Sequence, residues 1–428
     1  MTAAKQKPER LSREDAARWH MATPKNPMII GALLLFEQRL TLASLDEIVL
    51  GKIIPHRRFQ QHVVEAEHLF GRPCWRDDAS FTLRAHVQKL NPSRTVDVDQ
   101  LIGLVNERMN APLPADRSPW SLELVDLAPT GSALLLRIHH CIADGRALVA
   151  LLDELAGELS RPEQPTAQRP PSSGLARRSR FFARVAGLWR FLSLSRDPVT
   201  LLRRSLGGHK RIAWSGAIPL DAVKSIARAE GHRFVDVLLA AVAGALHRYQ
   251  RDHGLLPQSM RALLPVAAPT APSTHGLGNH FASVFVRLPV ACADPKTRLA
   301  IVARDMVAMR SRSALRMALG LVRLAGAIAP AIEHWAVRWW SRRASLVVSS
   351  LAGPTVPLQV AGRSLRTIVV WAPAAASIGL SLTFFGYAGN LHLGVLADDA
   401  VIERPEELVA AFQSALDDLR RSTIPDNR

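Results

Sequence analysis

The chain has 428 residues, 48% of them hydrophobic, which exceeds the length at which one hydrophobic core keeps growing, so we expect two domains. Its formal net charge of +17 favours anionic partners such as lipids, but no basic stripe alternates with aromatic residues as in nucleic-acid-binding modules, so we expect no nucleic acid partner. Three widely spaced cysteines exclude a disulfide framework and residues 1–13 lack the apolar segment of a secretory signal, so we expect a cytoplasmic protein.

The first half of the chain alternates between helical and extended hydrophobic patterns. Helical periodicity predicts helices over residues 15–22, 45–54, 98–109 and 147–159. Apolar runs predict strands over residues 28–36, 122–125 and 133–138. We therefore predict that residues 1–160 form one domain of mixed strands and helices.

The heptapeptide His139-His-Cys-Ile-Ala-Asp-Gly145 follows the last of these strands and precedes an amphipathic helix. Because neighbouring side chains of an extended segment point to opposite faces, only one of His139 and His140 can easily face a cleft. A histidine there can take a proton from a hydroxyl or thiol near neutral pH, so the segment predicts a general base. Asp144 could orient the imidazole, or bind an arginine and hold the turn. Gly145 would let the chain reverse tightly.

Other interpretations of the heptapeptide were weighed against the general base. Two core histidines beside an Asp-Gly turn would explain the residues without chemistry, although the complete motif at a strand exit argues against this. Two histidines and one aspartate could ligate a metal ion, but adjacent histidines diverge and no HExxH or CxxC motif supports a site, so we expect no metal. Cys141 could be a nucleophile, but a small core residue is the expected role.

A polar joint separates the two halves. Residues 160–180 contain four prolines and few apolar side chains, which is typical of a linker. We predict a linker with a basic amphipathic segment over residues 161–210 and a second domain over residues 211–428. Helices are predicted there over residues 219–229, 234–249, 294–310 and 405–419. Strands are predicted over residues 260–265, 281–288, 346–350, 365–371, 378–385 and 391–396. The mixture indicates a second α/β layered domain.

Two basic stretches, residues 177–204 and 312–343, carry aromatic side chains among their arginines. Such helices can lie in the headgroup region of an anionic bilayer, or their apolar faces can pack on the protein itself, and both interpretations stay open. The apolar stretch over residues 317–336 is interrupted by Arg323, Pro330 and Glu333, so no membrane-spanning helix is expected.

The heptapeptide resembles that of the CoA-dependent acyltransferases, which include chloramphenicol acetyltransferase, carnitine acyltransferases and the condensation domains of peptide synthetases. Its flanking motifs narrow the resemblance to the bacterial wax ester synthase/acyl-CoA:diacylglycerol acyltransferases (WS/DGAT). These motifs occupy residues 11–15, 23–31, 71–75, 86–87, 116–120, 234–240, 278–279, 349–354 and 387–391. The resemblance covers nearly the whole chain.

The resemblance implies a two-domain α/β fold of the chloramphenicol acetyltransferase type, with mixed sheets and helices and an active-site channel at the domain interface. The implied substrates are acyl-CoA and an acceptor, either diacylglycerol or a long-chain fatty alcohol, with no bound cofactor. His140 would be the general base, and the hydroxyl would attack the thioester directly, without an acyl-enzyme. His139, Asp144 and Gly145 would maintain the local architecture, with Gly145 leaving room around the turn.

Further residues are carried over from the family as substrate-binding or supporting positions. They are Trp120, Asp236, Asn279, Ser350 and Gly353. The family's Asn-Asp pair is here Val-Asp at residues 235–236, and its Ser-Asn-Val-Pro-Gly-Pro turn loses the Asn and the first Pro at residues 349–354. These departures bear on the choice of acceptor.

Two alternatives therefore accompany the main hypothesis. One is a related enzyme that acylates another alcohol or takes its acyl group from a carrier protein. The other is an acyl- or lipid-binding protein with weakened catalysis. With a lipid acceptor, we expect peripheral contact with a lipid droplet or with the inner face of the plasma membrane.

Overall fold

The computed structural model describes residues 9–68, 71–91, 94–156, 195–267, 277–279, 281–309, 330–374 and 376–423. Within these ranges the first half contains strands that form two sheets, with helices packed against them. Its strands are β1 (Glu9–Arg10), β2 (Ile29–Phe36), β3 (Gln61–Val64), β4 (Cys74–Asp77), β5 (Val87–Lys89), β6 (Trp120–Leu127) and β7 (Gly131–His139). Its α-helices are α1 (Arg13–His20), α2 (Leu42–Ile48), α3 (Val98–Asn110) and α4 (Gly145–Ala156).

The second half builds a larger sheet covered by helices. Its strands are β8 (Lys210–Trp214), β9 (Ile218–Pro219), β10 (Met260–Ala267), β11 (Phe281–Leu288), β12 (Leu346–Ala352), β13 (Gln359–Val360), β14 (Arg363–Trp371), β15 (Leu380–Tyr387) and β16 (Asn390–Asp398). Its helices are α5 (Leu220–Ala229), α6 (Phe234–Asp252), α7 (Pro295–Met309), α8 (Pro330–Ser341) and α9 (Pro405–Thr423). Apolar side chains of α5, α6, α7 and α9 pack with this sheet in one large core. Both halves are thus layered from mixed strands and helices, as predicted.

The described strands form three sheets. A small sheet has the order β1-β4-β3, and the main sheet of the first half has the order β13-β14-β2-β7-β6-β5. The seven-stranded sheet of the second half runs β11-β10-β12-β15-β16-β8, with β9 also paired to β16. Parallel pairing of β12 with both β10 and β15 makes this last sheet a mixed one.

Strands β13 and β14 come from the second half of the chain but complete the main sheet of the first half. β14 pairs antiparallel with β2, from Leu365 opposite Phe36 to Trp371 opposite Gly31. The next strand, β15, lies in the seven-stranded sheet. The chain therefore ties the two sheets together across their interface. The predicted boundaries at residues 160 and 211 stay a prediction, since the exchanged strands show only that residues 359–371 belong to the first sheet.

Several elements differ from those predicted. The helix predicted over residues 45–54 begins at Leu42, and from Val49 to Ile53 it continues as a π-helical turn. The short strands β3, β4, β5 and β8 were not predicted, because three to five residues are too few to establish an alternating pattern. Most of the predicted linker, over residues 161–194, lies outside the described residues, as do residues 312–329 of the second basic stretch.

Candidate active site

The heptapeptide forms the turn between strand β7 and helix α4. The backbone N–H of His139 donates to the carbonyl of Pro119 at 2.9 Å, and that of His140 donates to Met28 at 2.9 Å. These neighbours lie on either side of the turn, so the two imidazoles are directed to different surroundings. Both rings are buried. The expectation that only one histidine faces a given cleft agrees with this arrangement.

His139 packs against helix α1. Its ring lies 5.0 Å from the ring of Trp19, and its Nδ1 accepts the backbone N–H of Cys141 at 3.1 Å. Burial, and then the neighbouring His140, lower its pKa to about 3. A cavity of about 440 Å³ adjoins this ring, with Trp19 and several prolines in its lining. His139 therefore stays neutral at pH 7, with one nitrogen committed to the turn.

His140 faces the second half of the chain. Its ring lies 5.5 Å from the ring of Phe281 on β11, and its backbone carbonyl accepts the side-chain amide of Asn279 at 2.7 Å. Burial lowers the pKa of His140 to about 4, and the positive charge of Arg18 adds to this effect, while Asp144 and Asn279 oppose it. The imidazole is therefore neutral at pH 7 and able to accept a proton.

Asn279 links helix α1 to the turn that carries His140. Its backbone and side-chain N–H groups donate to Oδ1 of Asp15 at 3.1 and 2.8 Å, while the same side chain holds the carbonyl of His140. Burial raises the pKa of Asp15, and the hydrogen bonds from Asn279 and Ser12 oppose that rise. Ser12 also caps α1, because its hydroxyl accepts the backbone N–H of Asp15. The structure thus brings Asn279 to the heptapeptide, and its role in substrate binding or support stays a prediction.

Asp144 is the N-terminal cap of helix α4. Its Oδ1 accepts the backbone N–H groups of Arg146 and Ala147, each at 3.0 Å. Its own backbone N–H donates to the carbonyl of Gly278 at 3.2 Å, and the N–H of Gly278 donates to Ile142 at 2.9 Å. The heptapeptide is therefore paired along its backbone with a segment of the second half. These contacts place Asp144 as a holder of the turn.

Gly145 is needed for space and not for an unusual backbone angle. It begins helix α4, and a Cβ atom at this position would lie 2.6 Å from Cδ2 of Leu351 on β12. The expected tight reversal through special backbone angles is therefore not what the glycine provides, because its φ lies outside the left-handed region. Its implied role of leaving room around the turn stays a prediction, which the short distance to Leu351 makes testable.

Arg18 belongs to this site but was not singled out from the sequence. It is buried on α1, with its guanidinium 4.3 Å from the ring centroid of Phe281, on which His140 also packs. Its Nη1 lies 3.3 Å from Sδ of Met21. The available signal was the capped helix after Ser12, whose spacing puts Asp15 and Arg18 one turn apart on one face. The structure also adds Phe281 and Leu351, which no local pattern marks.

Trp120 and Asp236 hold structural positions. Trp120 lies in the first-half core, where it stacks on His86 at 4.6 Å and its Nε1 donates to the carbonyl of Phe59. Asp236 is buried in the first turn of α6, where Oδ2 accepts the backbone N–H of Arg233 at 3.2 Å. Neither of these contacts involves His140, so the roles of Trp120 and Asp236 in substrate binding or support stay predictions.

Ser350 and Gly353 lie near the end of β12. Ser350 is half-buried and stands opposite Phe384 in the pairing with β15. Gly353 packs so closely that a Cβ would lie 2.5 Å from the carbonyl oxygen of Gly386. Leu351, which follows Ser350, is the residue of this strand that contacts Gly145. The roles proposed for Ser350 and Gly353 in substrate binding stay predictions.

Two other kinds of chemistry were considered for the heptapeptide, a thiol nucleophile and a metal site. Cys141 is buried in the first-half core, and burial raises the pKa of its thiol well above the ordinary value, as expected for a core residue. Among the described residues, no group of three or more His, Cys, Asp or Glu side chains is arranged to hold a metal ion. The arrangement can take a proton from a group that approaches His140.

Two sequence profiles of one family cover most of the chain. The profile described as the wax ester synthase/diacylglycerol acyltransferase catalytic domain matches residues 11–280, and that of the WS/DGAT C-terminal domain matches residues 277–420. The chain is 26% identical to "Probable diacyglycerol O-acyltransferase tgs1" of Mycobacterium tuberculosis (strain ATCC 25618 / H37Rv), over 91% of this chain and 90% of that protein. The two matches span both halves of the fold.

Solved structures share this architecture. The wax ester synthase/diacylglycerol acyltransferase from Marinobacter aquaeolei VT8 aligns with a TM-score of 0.69 at 19% identity, covering 97% of this chain and 99% of that one. The first condensation domain of the calcium-dependent antibiotic synthetase aligns with a TM-score of 0.66 at 15% identity, covering 99% and 98%. The two-domain α/β fold predicted from the sequence is therefore confirmed.

Proposed function

Because this chain belongs to the wax ester synthase/diacylglycerol acyltransferase family, it is an acyltransferase, and we propose that it acts on lipid hydroxyls. The proposed reaction moves a long-chain acyl group from acyl-CoA to diacylglycerol or to a long-chain fatty alcohol. The products are triacylglycerol or wax ester, and acyl-CoA is a co-substrate, so the reaction needs no bound cofactor. The relatives named as diacylglycerol O-acyltransferases support this choice of acceptor.

The observation that carries the proposal is the placement of His140. Its imidazole is neutral at pH 7, and its backbone is held by Met28 from the first half and by Asn279 from the second. A base held from both sides at the junction of two halves can meet substrates that enter between them. Positioning of this kind is a large part of enzymatic rate enhancement.

The proposed mechanism is direct transfer. The acceptor hydroxyl gives its proton to His140 while its oxygen attacks the carbonyl carbon of the thioester. The tetrahedral intermediate then collapses, the C–S bond breaks, and the protonated imidazole returns the proton to the CoA sulfur. Free CoA and the ester form, His140 is again neutral, and no covalent acyl-enzyme occurs. In this scheme His139, Asp144 and Gly145 maintain the turn.

We further propose that the enzyme works at a lipid surface, either a membrane or a lipid droplet, because both proposed acceptors reside there. In the described parts of the chain, no helix has the length and apolarity to cross a bilayer. Contact with such a surface would therefore be peripheral at these parts of the protein.

The test is an ester-forming assay with palmitoyl-CoA and either dioleoylglycerol or hexadecanol, with release of free CoA measured in parallel. The wild-type protein is expected to form ester with at least one acceptor, and His140→Ala to lower the rate by about 10² or more. His209→Ala serves as the control, because His209 is exposed and its side chain lies beside Asp399, which is not part of the site described above.

Ester formation at an equal rate by His140→Ala would remove His140 as the base. Transfer only to another alcohol, or only from a carrier-bound acyl group, would replace the proposed substrates with those of a related enzyme. Tight binding of acyl-CoA without turnover of any acceptor would instead identify a lipid-binding relative.

A further inference from the structure

A cleft of about 350 Å³ lies where the chain after residue 195 meets the end of helix α8. Its lining consists of basic and aromatic side chains: Arg196, Arg338, Trp339, Arg342 and Arg343. The two basic stretches noted in the sequence, far apart along the chain, thus meet in one place. Of the residues that the structure describes, no acidic one belongs to this lining. We call it the arginine cleft.

One of these arginines is buried and incompletely bonded. Only 7% of Arg343 is exposed, and its guanidinium lies 3.2 Å from the ring centroid of Trp339 and donates to that residue's carbonyl oxygen. Its Nε is buried without a hydrogen-bond partner among the described residues. A buried charged donor left in this state is unfavourable unless a ligand supplies the acceptor.

The carboxylate that follows Arg196 in the sequence serves other groups. Asp197 accepts the backbone N–H of Arg261 at 2.9 Å and the hydroxyl of Ser345 at 2.6 Å, and it forms an ion pair with the Arg261 side chain. In the described parts of the chain, no carboxylate forms a salt bridge with Arg196, Arg338, Arg342 or Arg343. Among the described residues, therefore, no anion neutralises the positive charges of the cleft.

Electrostatic evidence agrees with mutual repulsion in the cleft. Burial lowers the pKa of Arg343, and the positive charges of Arg196 and Arg261 lower it further. Burial also lowers the pKa of the adjacent Arg203; Asp197 opposes this, while Arg342 and Arg196 add to it. Each guanidinium would be stabilised by an anion placed between them.

We propose that the arginine cleft binds a phosphate group. A guanidinium group is planar, and pairs of its N–H donors match pairs of phosphate oxygens. Several guanidinium groups in one cleft favour a phosphate that carries two charges or accepts hydrogen bonds from more than one arginine. Arg338 and Arg342 are exposed at its mouth, while Arg343 supplies a fixed donor inside. The phosphate is either that of a soluble nucleotide such as CoA or that of an anionic phospholipid headgroup.

The helix that carries part of the cleft also packs beside the active site. Val337 of α8 lies in one apolar cluster with Met21 and Met28 of the first half. The carbonyl of Met28 accepts the backbone N–H of His140. A phosphate bound at the end of α8 is therefore held by the helix that supports this side of the active site.

The proposal is tested with the full chain and with paired charge-removing variants. Arg338→Gln combined with Arg342→Gln removes two exposed charges of the cleft, so the fold is expected to persist. Arg228→Gln combined with Arg366→Gln is the matched control, since both residues are exposed on other elements and the net charge changes equally. Binding of pyrophosphate and of CoA is measured by calorimetry. Binding to phosphatidylcholine vesicles with and without phosphatidylglycerol is measured by flotation.

The cleft variant is expected to bind at least one phosphate probe about tenfold more weakly than the wild type, while the control pair stays within about twofold. Selective loss of CoA and pyrophosphate binding would identify a nucleotide phosphate. Selective loss of phosphatidylglycerol-dependent flotation would identify a lipid headgroup. Equal weakening by both pairs, or no binding of any probe by the wild type, would overturn the proposal. None of these measurements depends on ester formation, so they are independent of the proposed reaction.

Discussion

The two halves of the chain contribute different kinds of group to the active site. The first half supplies the ionisable groups, namely the two histidines of the heptapeptide with Asp15 and Arg18 of helix α1. The contacts described from the second half are those of neutral groups: the amide of Asn279, the ring of Phe281 and the methyl groups of Leu351.

This difference shows that reactive residues and the conditions for their reactivity have separate origins. His140 is a neutral base because it is buried, and Phe281 from the second half packs against its ring. Substitutions in the second half should therefore alter the protonation and position of first-half groups whose own residues are unchanged. Three sets of measurements, in decreasing order of expected effect, test this division between the halves.

The largest effect is expected in the pH dependence of stability. Folded pKa values of about 4 for His140 and about 3 for His139 lie below the ordinary value of 6.5, so the unfolded state binds more protons between these limits. Stability should therefore fall as the pH falls below 6.5, approaching about 1.4 kcal/mol per pH unit for each histidine. Denaturant unfolding between pH 6.5 and pH 5 measures this slope.

Replacement of Phe281 should make the stability depend less steeply on pH. Phe281→Ala lets water reach His140, so the folded pKa of His140 should move back towards its ordinary value and its share of the slope should shrink. His140→Ala, which removes the group, gives the slope expected without it. If Phe281→Ala keeps the wild-type slope, the second half does not control the protonation of His140.

An intermediate effect is expected from Asn279→Ala. This change removes the buried side-chain amide that donates to the carboxyl group of Asp15 and to the carbonyl of His140. The expected loss of unfolding free energy is about 3 kcal/mol, together with a lower rate of transfer. Asn390→Ala, at a half-exposed amide on β16, is the control and should change stability little. Wild-type activity and stability in Asn279→Ala would show that the contact across the halves is dispensable.

The smallest effect is expected from Gly145→Ala. The new methyl group would meet Leu351 at 2.6 Å, so that side chain must shift, at an expected loss of about 1 to 2 kcal/mol. Adding Leu351→Ala should relieve the overlap, and the double variant should recover part of the activity that Gly145→Ala loses. Gly103→Ala is the matched control, since Gly103 lies in helix α3 with nothing near its Cβ position, and it should stabilise slightly. Failure of the double variant to recover would show that Leu351 is not the partner that restricts Gly145.

Much of the local structure could be predicted from patterns of a few residues. The heptapeptide was placed correctly between a strand and a helix, because β7 and α4 have the length and periodicity that sequence reading detects. Asn279 was also identified, but through resemblance, since nothing local connects it to His140. Arg18 shows the opposite case, because its helix was predicted while its place beside Phe281 depends on the packing of two distant segments.

Trp120, which was carried over from the family, shows that a residue on the strand next to the site can still face away from it. It lies opposite Ile138 on the neighbouring strand, one residue before His139, yet its side chain enters the core beside His86. Alternation along a strand sends such neighbours to opposite faces. Which face carries the site depends on the packing of the sheet, and the residue pattern of one strand does not specify it.

The ionisable groups, the mixed α/β class and the elements with long, regular hydrophobic patterns follow from the sequence, because they depend on side-chain chemistry and on periods of a few residues. Tertiary packing alone brings β14 into the first-half sheet, closes Asn279 and Phe281 around His140, and joins two basic stretches in the arginine cleft. These contacts join residues more than a hundred positions apart. They form because distant apolar surfaces pack together, and burial then sets which charges persist and which groups stay neutral.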